Sequence, residues 1–280
     1  MKQFTCVIIG AARNIATHLP QTLHKMNKLA ALWKESAIVI AENGSTDDTK
    51  SMLKIFKSTD ESRIHILELD AEANGIPART VRLALVRNRL LEFIHTHPTY
   101  SSYDYILMVD MDGVLDMFSP DSLQTLVSNP KEAHWDAVFA NTTGRYYDIW
   151  ALRSKAFNIP FDCWDLHRHM QIHFHVTPEF AKEAAIKKFQ VKIPASKPWI
   201  PVESAFGGLG LYRLSKTVGC VYDGTMRECS CRTMIADLAA NTCFPYTCEH
   251  VSFHKDMIEK NGAKLFIVPS IQVKSQDEHL

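Results

Sequence analysis

Four apolar runs of strand length, separated by amphipathic stretches of helix length, fill the first 110 residues of this 280-residue chain and constrain its fold more than any other feature. The runs lie at residues 4–9, 37–41, 63–69 and 105–109, and the stretches between them at about 15–34, 47–56 and 78–94. Runs that are apolar throughout suit strands buried on both faces, and a helix between consecutive strands makes them parallel. In the third stretch Leu83, Val86, Leu90 and Ile94 recur at three- and four-residue steps and form the stripe that meets the sheet. Arg79, Arg82 and Arg89 fall elsewhere, on a solvated face. The expected fold class is α/β, with a Rossmann-like, mostly parallel sheet sandwiched by helices.

Beyond residue 137 the order is less regular. A strand at 137–140 precedes a His- and Trp-rich segment at 163–175 and a Gly-rich stretch at 206–210, and a helix at about 252–261, closed by Gly262, leads to a last strand at 264–268 and a polar tail at 275–280. No Pro/Gly/Ser-rich linker divides the chain, so residues 1–280 are read as a single domain. With 46% hydrophobic and 22% charged residues it can bury a large core. Lys plus Arg and Asp plus Glu both total 31, so no global field attracts nucleic acid, and a small or neutral substrate fits better. The first apolar run is too short for a signal-peptide core and no run is long enough for a membrane span, so a cytoplasmic protein without a span is expected. Among the seven cysteines, Cys229, Cys231, Cys243 and Cys248 lack the paired spacing of structural zinc sites and read as buried free thiols. His167, His169, His173 and His175 alternate like one face of a strand without carboxylate or thiol partners, and a mobile loop is expected there.

Chemistry concentrates where apolar runs end. The run 105–109 gives way to Asp110-Met111-Asp112-Gly113, two carboxylates spaced i, i+2 that share one face of an extended chain and could meet one hard cation, Mn²⁺ or Mg²⁺. Asp-x-Asp is a common triplet, and its weight here comes from its place at the carboxyl end of a parallel strand, where open α/β sheets bind ligands. The run 37–41 ends in Glu42-Asn43-Gly44-Ser45-Thr46-Asp47-Asp48-Thr49. Glu42 and Asn43 can hydrogen-bond a base or ribose, and Ser45 or Thr46 can cap the next helix.

The segment 38–49 resembles the E-N/D-x-S-x-D-x-T segment of GT-A glycosyltransferases, and the first 115 residues resemble the nucleotide-binding half of that fold in order and spacing. The resemblance implies that Ala11 and Arg13, in the loop after the first strand, lie against the nucleotide together with Glu42, Asn43 and Ser45. Arg87 and Asn88 match the polar pair of the A-R-N-x-L stretch, with Arg87 neutralising phosphate, and Asp110 and Asp112 hold the metal. Tyr146-Tyr147-Asp148-Ile149-Trp150-Ala151-Leu152-Arg153 is similar to a segment of capsule-associated mannosyltransferases and implies Asp148 and Trp150 beside sugar and acceptor, Asp148 among the catalytic carboxylates. Residues 201–213 resemble the S-A-F-G-G-x-G-x-Y segment, which implies substrate contacts at Glu203, Gly207 and Gly208. Glu249 falls at the acidic position that supplies the general base in inverting members, followed by His250 where the family carries Asp. His254 or His250 would complete the metal site. The implied function is transfer of a hexose from a UDP- or GDP-sugar, with Mn²⁺ or Mg²⁺, to a glycan or other hydroxyl acceptor, residues 1–115 binding the donor and 116–280 the acceptor. A sugar nucleotidyltransferase and a catalytically inactive nucleotide- or sugar-binding module remain as alternatives, as do inversion and retention.

Overall fold

A computed structural model of the chain describes residues 3–128, 134–225 and 245–275. Its first half alternates β1 (Thr5–Ala12), α1 (Leu19–Ala30), β2 (Glu35–Glu42), α2 (Thr49–Ser58), β3 (Ile64–Glu68), the short α3 (Asp70–Ala73), α4 (Arg79–Thr96) and β4 (Tyr105–Asp110). There follow α5 (Pro120–Ser128), β5 (Ala137–Thr142), α6 (Cys163–Phe174), α7 (Pro178–Ala185), β6 (Ile200–Val202), β7 (Leu209–Arg213), α8 (Glu249–Asn261) and β8 (Leu265–Val273). The strands form one eight-stranded sheet in the order β3-β2-β1-β4-β7-β5-β8-β6. β1 runs parallel to β2 and β4, and β2 to β3, while β7 is antiparallel to both β4 and β5 and so joins the two halves of the chain in one sheet.

Alternate residues of each strand face opposite layers. Val7, Ile9, Ile106 and Met108 pack with Ala84, Leu90 and Ile94 of α4 and with Phe253 and Met257 of α8. Cys6, Ile8, Leu107 and Val109 pack on the other face with Leu19, Leu23 and Met26 of α1, Leu53 and Phe56 of α2, and Leu123 of α5. The α/β sandwich expected from the apolar runs is the fold observed. β1 leads to β2 on one side and lies beside β4 on the other, so the chain changes direction between β1 and β4 and opens a crevice at their carboxyl ends.

Several boundaries differ from those expected, each for a local reason. α1 begins at Leu19 rather than near residue 15, because Pro20 is tolerated only in a first turn. Residues 163–174 are helical, not a loop or strand. Asp162 caps α6 by accepting the backbone N–H groups of Trp164 (3.0 Å) and Asp165 (3.2 Å), and His175 ends it in a left-handed conformation. His169 and His173 thereby become i, i+4 neighbours with ring centroids 4.3 Å apart. Gly262 closes α8 as expected, with φ of 62°. Ser275 is buried and its hydroxyl donates to Arg145 O (3.2 Å), whereas the rest of the expected tail, 276–280, lies outside the described residues. Cys6, Cys163, Cys220 and Cys248 are buried free thiols, and Cys229, Cys231 and Cys243 lie outside the described residues. Among the described residues no helix is long and apolar enough to cross a membrane.

Candidate functional site

A cavity opens at the carboxyl end of β4, and the groups lining it come from widely separated places in the chain, Ile186, Gln190 and Phe206 among them. α4 supplies Arg79, Leu83 and Arg87, which share one helix face at i, i+4 and i+8; the β4 terminus supplies Asp110 and Asp112. The segment after β5 supplies Tyr147, Asp148 and Trp150, α6 contributes Cys163 and Trp164, and the start of α8 contributes Glu249 and His250.

Arg87 is the hub. It is only 5% exposed, donates through Nη2 to Asp110 Oδ1 (3.2 Å), and pairs through Nη1 with Oε1 of Glu249, itself 3% exposed. Its guanidinium carbon sits 5.2 Å from the Phe206 ring centroid and 5.9 Å from that of Tyr222, so aromatic faces complete its shell. Glu249 also occupies the first turn of α8, where the helix dipole favours negative charge. Four carboxyl groups, Asp110, Asp112, Asp148 and Glu249, thus face the guanidinium groups of Arg79 and Arg87, and the lining carries more acid than base.

Asp148 accepts backbone N–H groups from Gly207 (3.0 Å) and Ala151 (3.3 Å). Burial pushes its carboxyl above the usual range, against the pull of those two hydrogen bonds. Gly207 and Gly208 have φ of 64° and 88°, and the carbonyl of Gly208 accepts the Asp110 N–H (2.8 Å). A Cβ on Gly207 would stand 2.8 Å from Ala140 O, and one on Gly208 2.7 Å from Val114 Cγ1. These glycines therefore let protein approach protein, fixing Asp148 and Asp110 from behind, and neither is among the residues lining the cavity.

The two histidines considered for a metal part company. His254 is fully buried, with Nδ1 at 2.9 Å from Ser204 Oγ and Nε2 at 3.1 Å from Tyr212 OH, and burial lowers it to about 3. With both nitrogens engaged in the core and no place in the cavity lining, it is not positioned as a ligand. His250 lines the cavity, 2% exposed and stacked on Phe206 at 4.0 Å, and neither of its ring nitrogens has a hydrogen-bond partner among the described residues. Burial, with Arg87 nearby, lowers it well below the ordinary histidine value.

The other expected residues spread along the same edge. Ala11 pairs in register with Asp110 and with Ala41, and Ala12 with Glu42, so the ends of β2, β1 and β4 stand in a row. Glu42 is buried and accepts the N–H of Ser45 (2.6 Å) and Gly44 (3.3 Å), while Asn43 donates to Ala12 O (3.0 Å) and Ser45 Oγ accepts the Asn14 N–H (2.9 Å). Their side chains bind the two loops to each other and lie outside the cavity lining. Neither Ser45 nor Thr46 caps α2; Asp47 Oδ1 accepts the Thr49 N–H (3.0 Å) instead. Arg13 is exposed. Asn88 is committed to the Tyr222 backbone, donating to its carbonyl and accepting its N–H, each at 2.9 Å. Trp150 lines the cavity and donates Nε1 to Asp162 Oδ2 (3.1 Å). Glu203 is exposed, 3.7 Å from Lys155 Nζ, away from the cavity. Sequence reasoning left Arg79 on a solvated face and did not single out Tyr147, Trp164 or Phe206 as cavity walls. The i, i+8 spacing of Arg79 and Arg87 was the available signal for the first; nothing local marked the others.

Among the described residues no three His, Cys, Asp or Glu side chains are placed to hold a metal ion together. No protein-family model matches this chain and no curated protein matches it. Solved structures similar to it include the mannosyltransferase PcManGT from Pyrobaculum calidifontis in complex with GDP-Man and Mn²⁺ (14% identity, TM-score 0.49, 96% of this chain and 56% of that chain). Others are TarS residues 1–349 from S. aureus (12%, 0.43, 96% and 59%) and glucosyl-3-phosphoglycerate synthase from Mycobacterium tuberculosis with uridine-diphosphate (15%, 0.47, 98% and 72%). The chain thus spans less than two thirds of the length of the first two. Likeness at this level assigns no activity, so the side chains carry the functional reading.

Proposed function

We propose that the chain is a metal-dependent glycosyltransferase that moves a hexose from a UDP- or GDP-sugar to a hydroxyl acceptor. The observation that carries this reading is Asp110 and Asp112 at the carboxyl end of β4, in the wall of a cavity whose carboxyl groups outnumber its guanidinium groups. Such a lining repels a nucleoside diphosphate unless a cation joins them. Two hard carboxylates, with no third His, Cys, Asp or Glu grouped with them among the described residues, suit Mn²⁺ or Mg²⁺ arriving with the diphosphate. Asp110 and Asp112 would hold that ion, and His250 is the histidine with a nitrogen to offer. The ion's chemistry is charge neutralisation on the departing nucleoside diphosphate.

The remaining roles fall to this chain's own groups. Arg87, lying between Asp110 and Glu249, sets the direction of both carboxylates and brings a fixed positive charge beside the diphosphate. Glu249 takes the acceptor proton if the reaction inverts; if it retains, Glu249 serves to hold Arg87. Asp148 holds the Gly207 backbone, and Trp150 offers an aromatic wall to a pyranose ring. Glu42, Asn43 and Ser45 shape the loops on which the nucleotide rests. The resemblance to capsule-associated mannosyltransferases makes GDP-mannose the first donor to try.

The test is thermal unfolding with UDP- and GDP-sugars, with and without Mn²⁺, for the native chain, Asp110→Asn and Asp112→Asn. A donor at about 100 times its Kd adds roughly 2.7 kcal/mol to the native state. A metal-dependent rise for one nucleotide class, absent in both variants, is the expected result. No rise, or one indifferent to metal and to both substitutions, overturns the reading.

A further inference from the structure

β1 runs parallel to β2 and β4, and β2 to β3, so the amino ends of all four strands gather on the sheet edge opposite the candidate site. β2 alone, eight residues long, sets the two edges about 25 Å apart. A cavity of about 520 Å³ opens on that far edge, between the segments that lead into β2, β3 and β4, and its size is that of small-ligand sites. Trp33, His97, Tyr100 and Tyr103 form its aromatic wall. Trp33 is 4% exposed, and its Nε1 is buried without a hydrogen-bond partner among the described residues. A buried donor is costly to leave unpaired, so one that no protein group meets marks a place for water or ligand.

The other groups around the cavity select the ligand. Lys34 Nζ lies 3.8 Å from Glu35 Oε1, and Arg63 Nε donates to Asp60 Oδ2 (3.0 Å), so each cation already has a carboxylate and no surplus charge calls for an anion. Ser36 Oγ donates to Ala30 O (2.9 Å) and Ser62 Oγ to Asp60 Oδ1 (2.7 Å), and both hydroxyls keep their acceptor lone pairs. His97 Nδ1 accepts the N–H groups of Thr99 (3.2 Å) and Tyr100 (3.3 Å), which fixes the proton on Nε2 and makes that nitrogen a further donor. His97 stacks on Tyr100 at 3.8 Å, a pair closed on itself, and Tyr103 meets Tyr100 edge-on at 63°, which leaves no slot for a flat heterocycle. What remains is single ring surface bordered by donors and acceptors. A pyranose matches it, since its C–H face packs on an aromatic ring and its hydroxyls both donate and accept. We propose that this edge of the sheet binds neutral carbohydrate, at a site separate from the candidate site of sugar transfer. Binding there requires no glycosyltransferase activity. Where that reading holds, on which this step alone rests, the far edge of the sheet retains a glycan of several residues on the enzyme.

The experiment is proton–nitrogen correlation NMR of the full chain with maltotriose, mannotriose and triacetylchitotriose, following the five tryptophan indole N–H signals. Trp33→Phe identifies the Trp33 signal, and Trp150→Phe and Trp164→Phe identify those of the candidate site. The expected result is a saturable shift of the Trp33 signal with at least one trisaccharide, while the Trp150 and Trp164 signals stay in place. Affinity should fall about fivefold in Tyr103→Ala and in Ser62→Tyr, which fills the cavity from an exposed position, with unfolding temperature checking that each variant folds. A Trp33 signal that no trisaccharide moves, or a shift undiminished in both variants, overturns the proposal. So does a shift confined to Trp150 or Trp164, which puts the sugar in the candidate site, or a Trp33 response to uridine or inorganic phosphate stronger than to any trisaccharide. A Trp33 shift without a donor-induced rise in stability leaves the carbohydrate site intact and removes the glycosyltransferase, and the reverse pair of results does the opposite.

Discussion

Arg87 concentrates the electrostatics of the site. One buried guanidinium faces Asp110 at the end of a strand and Glu249 at the start of a helix, two elements brought together only by the tertiary fold. With Glu249 3% exposed, Arg87→Met strands a carboxylate away from water, and the expected loss is about 3–5 kcal/mol in urea unfolding at neutral pH. The double variant Arg87→Met/Glu249→Gln should recover most of it, because both charges are then gone; a single-variant loss within about 1 kcal/mol would mean that the pair contributes no more than a surface ion pair. Gly208 acts on the same site through backbone. Gly208→Ala forces a left-handed non-glycine residue against Val114 and shifts the carbonyl that holds the Asp110 N–H. An expected cost of about 1–3 kcal/mol should come with a smaller Mn²⁺-dependent donor shift. The choice between His250 and His254 was not legible in sequence. Residues i and i+4 share a helix face, and only the tertiary partners Ser204 and Tyr212 remove His254 from contention.

At the scale of elements, α6 depends on a single residue outside it. Asp162 caps the helix with Oδ1, while its Oδ2 accepts from Trp150 Nε1, Arg153 Nη2 (2.8 Å) and Thr247 Oγ1 (2.8 Å). Asp162→Ala removes the cap and leaves the buried Arg153 without its carboxylate. A loss of about 3 kcal/mol or more is expected by urea unfolding, with a shift in tryptophan emission as Trp150 is released. An unchanged unfolding midpoint would show that the cap and ion pair are dispensable. The strands and helices of the first half were readable because both the period and the continuity of their apolar residues report burial directly. α6 was misread because its helical row of Leu166, Met170 and Phe174 is sparse and ends exposed, and the alternating histidines imitate a strand. The capping aspartate just before Cys163 was the signal that outweighed them.

For the molecule as a whole, the buried histidines tie stability to pH. His254, at about 3 in the folded chain against an ordinary value of 6.5, stays neutral where the unfolded chain takes up a proton. The unfolded state then binds more protons, so the stability is present in full above about pH 6.5 and is lost as pH falls toward about 3. From pH 7 to pH 5 this group alone removes about 2 kcal/mol. His250, and the half-buried His65 and His95, are lowered by burial and act in the same direction. Asp148, raised by burial, opposes them, and Asp47, Asp60 and Asp70, lowered chiefly by side-chain hydrogen bonds, matter only at more acid pH. The native chain and a variant that cannot titrate at position 254, each unfolded in urea at pH 7 and pH 5, share these other groups, so the difference between them isolates His254. His254→Gln keeps a hydrogen-bonding side chain but cannot titrate, so its loss between the two pH values should be smaller than the native chain's by about 2 kcal/mol. Equal losses in the two proteins would mean that His254 takes up its proton as readily folded as unfolded, which its enclosure between Ser204 and Tyr212 forbids.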